Sequence, residues 1–334
     1  MKCNITQTTL GELSVGRRGY YGLGAPAVPY SPSLYTYLRI TDINDDGTLN
    51  MSDLKSVSAD NASDYLLKIN DIVFARTGAS TGRNYFYDGT DGDFVFAGFL
   101  IKFSLDPSKV NPRYVKYYCQ SKEYRDWIAA FNTGSTRGNI NTKTLASMPI
   151  RLPDMETQHR IVNILDALEN KRKNNKQIND NLAELLQALY QQQFCCLNCP
   201  DNQGRLADLC DYSKAKVAVT ELSLSTYYST ENMLPGKAGA VDAASLPTTT
   251  QVIKCQIGDV LISNIRPYFK KIVYCHSNCG CSMDVICFTP KLPRLSAYLY
   301  SALYADSFFD FMVAGSKGTK MPRGDKQQIM TYAV

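Results

Sequence analysis

The sequence predicts an α+β protein: two similar mixed α/β domains separated by a long coiled-coil-forming α-helix. Three observations carry this expectation. An apolar heptad pattern runs through the middle of the chain, the blocks on either side repeat one order of strand-like, helix-like and polar-turn stretches, and 334 residues suffice for two cores. Apolar content of 44% and charge of 20% are those of an ordinary globular chain.

The first block, residues 1–153, begins with "MKCNITQTTLGELSVG", which lacks the apolar core of a signal peptide. No stretch reaches the length of an uninterrupted membrane span, so the expected compartment is the cytoplasm, with no membrane partner. Tyr20 and Tyr21 lie in an early loop where aromatic rings can meet bases or simply pack. "KINDIVFA" then reads as a strand, its Ile69, Ile72, Val73 and Phe74 being apolar and β-favouring. It delivers "RTGASTG", where Gly78-x-Ser80-x-Gly82 matches the nucleophile-elbow pattern of serine hydrolases. An elbow needs a helix after it and a histidine to take the serine proton. Here an aromatic, β-branched run broken by Asp88-Gly89 and Asp91-Gly92 follows and reads as a hairpin, and the only histidines are His159 and His276. A hydrolase using Ser80 stands as an alternative without its usual context. The block continues with a helical run, "PRYVKYYCQSKEYRDWIAAF", and a second polar turn, "NTGSTRGNINTK".

Residues 154–194 carry the clearest pattern. Ile161, Leu168, Asn175, Leu182 and Leu189 fall every seventh residue, with Ile164, Lys171, Ile178 and Leu185 as the companion series. This is an a/d seam whose polar members, Asn175 and Lys171, resemble those that fix register or partner number. Asp154 is placed to cap, and no Gly or Pro intervenes before Pro200. So narrow a stripe is stable only against another helix, so self-association through it is expected; a coiled-coil adaptor without a DNA role is a further alternative.

A linker, residues 195–204, leads into the second block, residues 205–334. It repeats the first: "KCQIGDVLISNIRPYFKKIVY", a β-rich stretch, the helical run "SAYLYSALYADSFFDFMV", then "AGSKGTKMPRGDK". Asp71 aligns with Asp259, Arg76 with the neighbourhood of Arg266, and Gly134-Ser135 with Gly315-Ser316, which marks an internal repeat. Tyr227 and Tyr228, like Tyr20 and Tyr21, lie in an early loop. The net charge of +5 is concentrated in the blocks: 17 Lys and Arg against 14 Asp and Glu in residues 1–153, and 14 against 10 in residues 205–334. Two mildly basic lobes suit a polyanion. The eleven cysteines are expected reduced, and Cys196-x-x-Cys199, Cys210, Cys275, Cys279 and Cys281 lack the paired spacing of a zinc knuckle, so small apolar filling is expected and no metal is.

The lobe–helix–lobe order, "INDIVFARTGASTG", "GSTRGNI" and the helix entry Pro153-x-x-Glu156-x-Gln158-x-x-Ile161 resemble the DNA-specificity subunit of type I restriction–modification enzymes. The lobes are similar to target recognition domains, and the helix to the first of that family's two spacer helices; the chain ends at Val334, before the second would begin. The resemblance implies a non-catalytic scaffold that reads two short, separated stretches of double-stranded DNA and docks methyltransferase and restriction (translocase) subunits. It implies no cofactor on this chain, with S-adenosylmethionine, ATP and Mg on the partner subunits. No methyltransferase loop, Walker lysine loop or nuclease cluster stands in the sequence.

Under this reading Thr77, Ser80 and Thr81 bring backbone close to phosphate, and Arg76 and Arg83 supply charge or fork onto guanine. The second-block counterparts are Asn264 for adenine, Arg266 for guanine, and Lys270 and Lys271 for phosphates. The later turn offers Arg137, Asn139 and Lys143, matched by Lys317, Lys320, Arg323 and Lys326. The helix would set the gap between the two half-sites.

Overall fold

The computed structural model describes residues 5–131, 139–195 and 204–334, and the chain divides into two compact units, Met1–Asn174 and Asn175–Val334. It is a mixed helix-and-sheet protein with one long helix between sheet-rich regions, as the sequence predicts.

The first unit is built around the strand Asp71–Ala75, every residue of which is buried. It lies in an antiparallel sheet ordered Tyr20–Tyr21, Leu100–Ser104, Asp71–Ala75, Asn84–Tyr87. Both of its faces are covered, which explains a continuous apolar run rather than an alternating one. Ile72 and Phe74 pack with Phe103, Tyr124 and Ile128 under the helices Pro112–Tyr118 and Lys122–Ala129. Val73 and Ala75 pack on the other side with Tyr85, Phe94 and Phe96. A second sheet runs Ala27–Pro29, Lys55–Val57, Tyr35–Leu38, Phe94–Phe96, the last pair parallel.

The expected hairpin is therefore corrected. Asn84–Tyr87 and Phe94–Phe96 are strands, but the first pairs with Asp71–Ala75 and the second with Tyr35–Leu38. The Asp88–Asp93 connection carries the chain from one sheet to the other. Both strands are wholly buried, so burial on two faces offers aromatic packing, such as Tyr85 edge-on to Phe94 at 6.2 Å, in place of a ladder.

The second unit repeats the first sheet strand for strand: Cys210–Tyr212, Val285–Pro290, Val260–Ser263, Ile272–Tyr274. Its other sheet runs Lys216–Ala218, Gln251–Cys255, Cys279–Cys281, Tyr227–Tyr228, with the order of the last two positions exchanged relative to the first unit. Tyr227 is buried against Ala243 and Val252, so it packs rather than faces a ligand. Cys255, Cys275, Cys279, Cys281 and Cys287 are buried with Met233, Leu261 and Val285. Cys196 and Cys199 lie outside the described residues. Among the described residues no group of His, Cys, Asp and Glu is placed to hold a metal ion, and no helix is long and apolar enough to cross a membrane.

The long helix runs Met155–Tyr190 and ends in a π-turn, Gln191–Cys195. Asp154 caps it, accepting the Thr157 N–H at 2.8 Å. Gln158 is the anchor of its first turn: buried, it donates from Nε2 to the Pro153 carbonyl at 2.8 Å and accepts the Asn111 N–H at 2.9 Å. Asp166 and Glu169, one turn apart, then meet Arg113 at 3.0 Å and Lys116 at 2.7 Å within the first unit. In the second unit Gln187 donates to the Ser301 carbonyl, and the Tyr190 ring packs on Tyr298. Asn175 and six apolar seam residues, Ile164, Leu168, Ile178, Leu182, Leu185 and Leu189, are exposed, the six by 48–63%, while Ile161 is half-buried.

The two units handle one buried carboxylate differently. The Lys68 N–H donates to Asp71 at 2.8 Å, and the Gln256 N–H to Asp259 at 2.8 Å. Asp71 is also paired with Lys102 at 3.0 Å, whereas Asp259 accepts from the Cys287 thiol at 3.1 Å and has no cation partner among the described residues. Burial accordingly pushes the Asp259 carboxyl above its ordinary range. The folded chain then holds a proton that the unfolded chain releases, so this stabilisation is present below the ordinary carboxylate value and is lost as pH rises through the elevated one. Asp259→Asn removes the titration. Urea midpoints between about pH 4 and pH 7 are expected to fall less with rising pH in this variant than in the wild type; parallel pH profiles would refute the assignment.

Candidate nucleic-acid interface

Each buried central strand delivers a polar turn to the surface. In the first unit the turn is closed by Ala75 N–H to Arg83 O at 2.8 Å and Gly82 N–H to Ala75 O at 2.9 Å. Inside it, Thr81 donates from N and Oγ1 to the Gly78 carbonyl, and Arg83 N–H donates to Ser80 O. Gly78 and Gly82 adopt φ of 76° and 87°, the left-handed region that favours glycine. Ser80 is followed by the strand Asn84–Tyr87 rather than a helix, so the elbow context is lacking. His159 hydrogen-bonds the Met155 carbonyl on its own helix, and the His276 ring packs on Tyr274 at 5.0 Å.

The turn is clamped to the second polar segment, far along the chain. Ile140 N–H donates to Arg76 O at 2.9 Å, and Thr77 bridges to Asn139. Arg76 N–H in turn donates to Phe99 O at 3.1 Å. The Arg76 guanidinium lies over the exposed Tyr21 ring at 5.1 Å, with Nε buried and no hydrogen-bond partner. Of the other residues predicted here, Thr77 and Ser80 are half-buried, and Asn139 and Lys143 are exposed. Arg83 is committed elsewhere: its Nε meets Asp45 at 2.7 Å and its Nη1 the Ile43 carbonyl. Arg137, like Gly134 and Ser135, lies outside the described residues.

The second unit makes the same clamp. Gly324 N–H donates to Asn264 O at 3.2 Å, Asn264 N–H to Asp284 O at 2.8 Å, Arg266 N–H to Pro322 O at 2.8 Å, and Ile265 bridges to Arg323. Matching these bonds to those of the first unit sets Asn264, not Arg266, at the position of Arg76. Arg266 then falls at the position of Gly78 and Lys270 at that of Gly82, and both take positive φ, 50° and 51°. Asn264 is buried and its Oδ1 has no partner, as Arg76 Nε has none.

Several predicted cations are tied down here too. Lys270 meets Asp306 at 2.8 Å, as does Lys237, and the two ammonium groups hold that carboxyl down at about 2. Lys271 donates to the Thr230 carbonyl at 2.6 Å, Lys317 pairs with Asp325 at 2.6 Å, and Arg323 with Asp284 at 2.9 Å. Lys320 and Lys326 are exposed, Lys326 with its ammonium 5.8 Å from the Tyr212 ring centre. The structure adds exposed apolar side chains that the sequence reading missed: Phe99 in the first unit and Tyr268, Phe269, Met283 and Met321 in the second. Their signal was adjacency to the polar turns, which is visible only once the clamps are known.

Residues 30–184 match the family described as the type I restriction modification DNA specificity domain. The type I restriction enzyme HindI specificity subunit of Haemophilus influenzae is 28% identical over 131 residues, which are 38% of this chain and 28% of that subunit. The match thus spans little more than a quarter of the curated relative. The crystal structure of a type I restriction–modification system S subunit from M. genitalium shares the fold, with a TM-score of 0.56 at 17% identity over 100% of this chain and 84% of that one.

The turn geometry sets a contrast between its glycines. A Cβ on Gly78 meets nothing within 4 Å, whereas one on Gly82 falls 2.5 Å from Ile128 Cγ2. Gly78→Ala is therefore expected to cost about 1 kcal/mol, the left-handed penalty alone, and Gly82→Ala roughly 2–4 kcal/mol, with overpacking added. Chemical denaturation measures both, and equal losses would contradict the packing described.

Proposed function

We propose that this chain, whose residues 30–184 match the type I restriction modification DNA specificity domain, is the sequence-reading, non-catalytic subunit of such a system and recognises a bipartite, gapped site in double-stranded DNA. One observation carries the reading. In both units a polar turn at the end of a buried strand is clamped by backbone bonds to a distant polar segment, and at the same position a buried side-chain atom, Arg76 Nε or Asn264 Oδ1, has no partner among the described residues. Buried polar atoms are nearly always satisfied, so such atoms mark a place where an outside group completes the bonding. A guanidinium suits the guanine edge and a carboxamide the adenine edge in the major groove. Thr77, Ser80, Asn139, Lys143, Lys320 and Lys326 are left to position the phosphates.

Chemistry then belongs to partners: methyltransferase subunits with S-adenosylmethionine, and restriction subunits with ATP and Mg. The exposed seam from Ile164 to Leu189 is the surface we assign to helix pairing, with a second copy or with those subunits. The cytoplasm is the compartment this role requires.

Selection from a pool of randomised DNA duplexes tests the reading directly. The chain is expected to enrich two short motifs at a fixed separation, with affinity falling steeply as salt rises; enrichment of no motif would refute it. The helix is proposed to set that separation. Insertion of one heptad between Lys173 and Asn174 preserves the seam and adds about 10.5 Å of helix, so the preferred gap is expected to lengthen by about three base pairs. An unchanged gap would show that the helix is no ruler.

A further inference from the structure

Among the described residues five other than glycine take positive φ: Arg17, Asn70, Lys237, Arg266 and Lys270. Such a conformation costs on the order of 1 kcal/mol for a residue with a Cβ, least for asparagine. Four of the five have an internal account. Asn70 is a residue type that tolerates it, Arg17 meets Glu12 at 3.3 Å, and Lys237 and Lys270 share Asp306. Arg266 has none.

Its guanidinium takes part in no ion pair, ring contact or side-chain hydrogen bond that the structure shows, and its Nε is buried without a partner. The nearby carboxylate, Asp284, is engaged by Arg323. Arg266 also precedes Pro267, which crowds the backbone of the residue before it. The first unit places Gly78 at this position, so the fold itself asks for glycine here. The second unit carries instead a strained, partly desolvated and unpaired cation.

We propose that Arg266 is a specificity-determining residue of the second unit that forks onto O6 and N7 of a guanine; this rests on the DNA-reading function above. The strain aims the side chain. Its backbone is fixed by Arg266 N–H to Pro322 O at 2.8 Å and Phe269 N–H to Arg266 O at 3.0 Å, and the following Pro267 is buried. A root held so firmly limits the side chain's search, which suits a base edge at one defined place. Phosphates are served by exposed, unconstrained side chains such as that of Lys320. Local backbone strain at a position where glycine would be relaxed is the pattern expected where function opposes stability.

The test uses the full chain as wild type, Arg266→Gly and Arg266→Lys, with the randomised duplex pool and thermal unfolding. Arg266→Gly is expected to melt at the same or a higher temperature, to lose preference for guanine at one position, and to bind the wild-type motif about 5- to 150-fold more weakly. Arg266→Lys, lacking the planar fork, is expected not to restore that preference in full. An unchanged motif for Arg266→Gly, a lower melting temperature, or a loss equal at every sequence with a shallower salt slope would each overturn the inference. Wild-type protein that enriches no motif would refute the DNA-reading function itself, a separate result from a wild-type motif that survives the substitution.

Discussion

Burial of one short strand on both faces is the constraint on which each unit depends. Asp71–Ala75 and Val260–Ser263 are completely covered, so neither strand can slip without exposing apolar side chains or burying polar ones. The register in turn fixes where the following turn emerges. That turn is then held by bonds to a segment some 60 residues later in each copy, Asn139–Ile140 in the first and Pro322–Gly324 in the second. The turn thus takes its position from the buried core on which it stands, as where the Tyr124 hydroxyl donates to the Gly82 carbonyl.

Much of this architecture was legible in the sequence. The helix, its Asp154 cap and its end near residue 194 follow from heptad spacing and the absence of Gly and Pro, because those local rules operate without tertiary help. The repeat was legible from order and polar turns. Strand partners were not: Asn84–Tyr87 and Phe94–Phe96 are aromatic on both faces, so no alternation distinguishes one sheet from another. Aligning Asp71 with Asp259 without a gap already sets Asn264 against Arg76, and the backbone bonds favour that spacing over the match of one arginine with another.

The same limit applies to charge. Arg83 and Lys271 look like free cations in the sequence, yet both are held by groups about 40 residues away, Asp45 and the Thr230 carbonyl. Loop–loop contacts of that separation leave no local pattern. Composition predicted a basic surface, and the structure divides it into cations that brace the turns and cations that remain available. Buried Gln158 shows the converse: a polar residue on a helix that reads as solvent-facing is in fact the joint between that helix and the first unit.

The two copies also show what a shared backbone permits. Where Asp71 has Lys102, Asp259 has the Cys287 thiol; where one turn has Gly78, the other has Arg266. The first exchange leaves the strand in place, and burial without a paired cation raises the Asp259 carboxyl above its ordinary range. The second leaves the clamp in place because its bonds are made by backbone atoms, which any residue supplies. A frame held by main-chain bonds and apolar burial tolerates wide change in the side chains it presents, and the proposed reading of two different DNA sequences by the two units requires that independence.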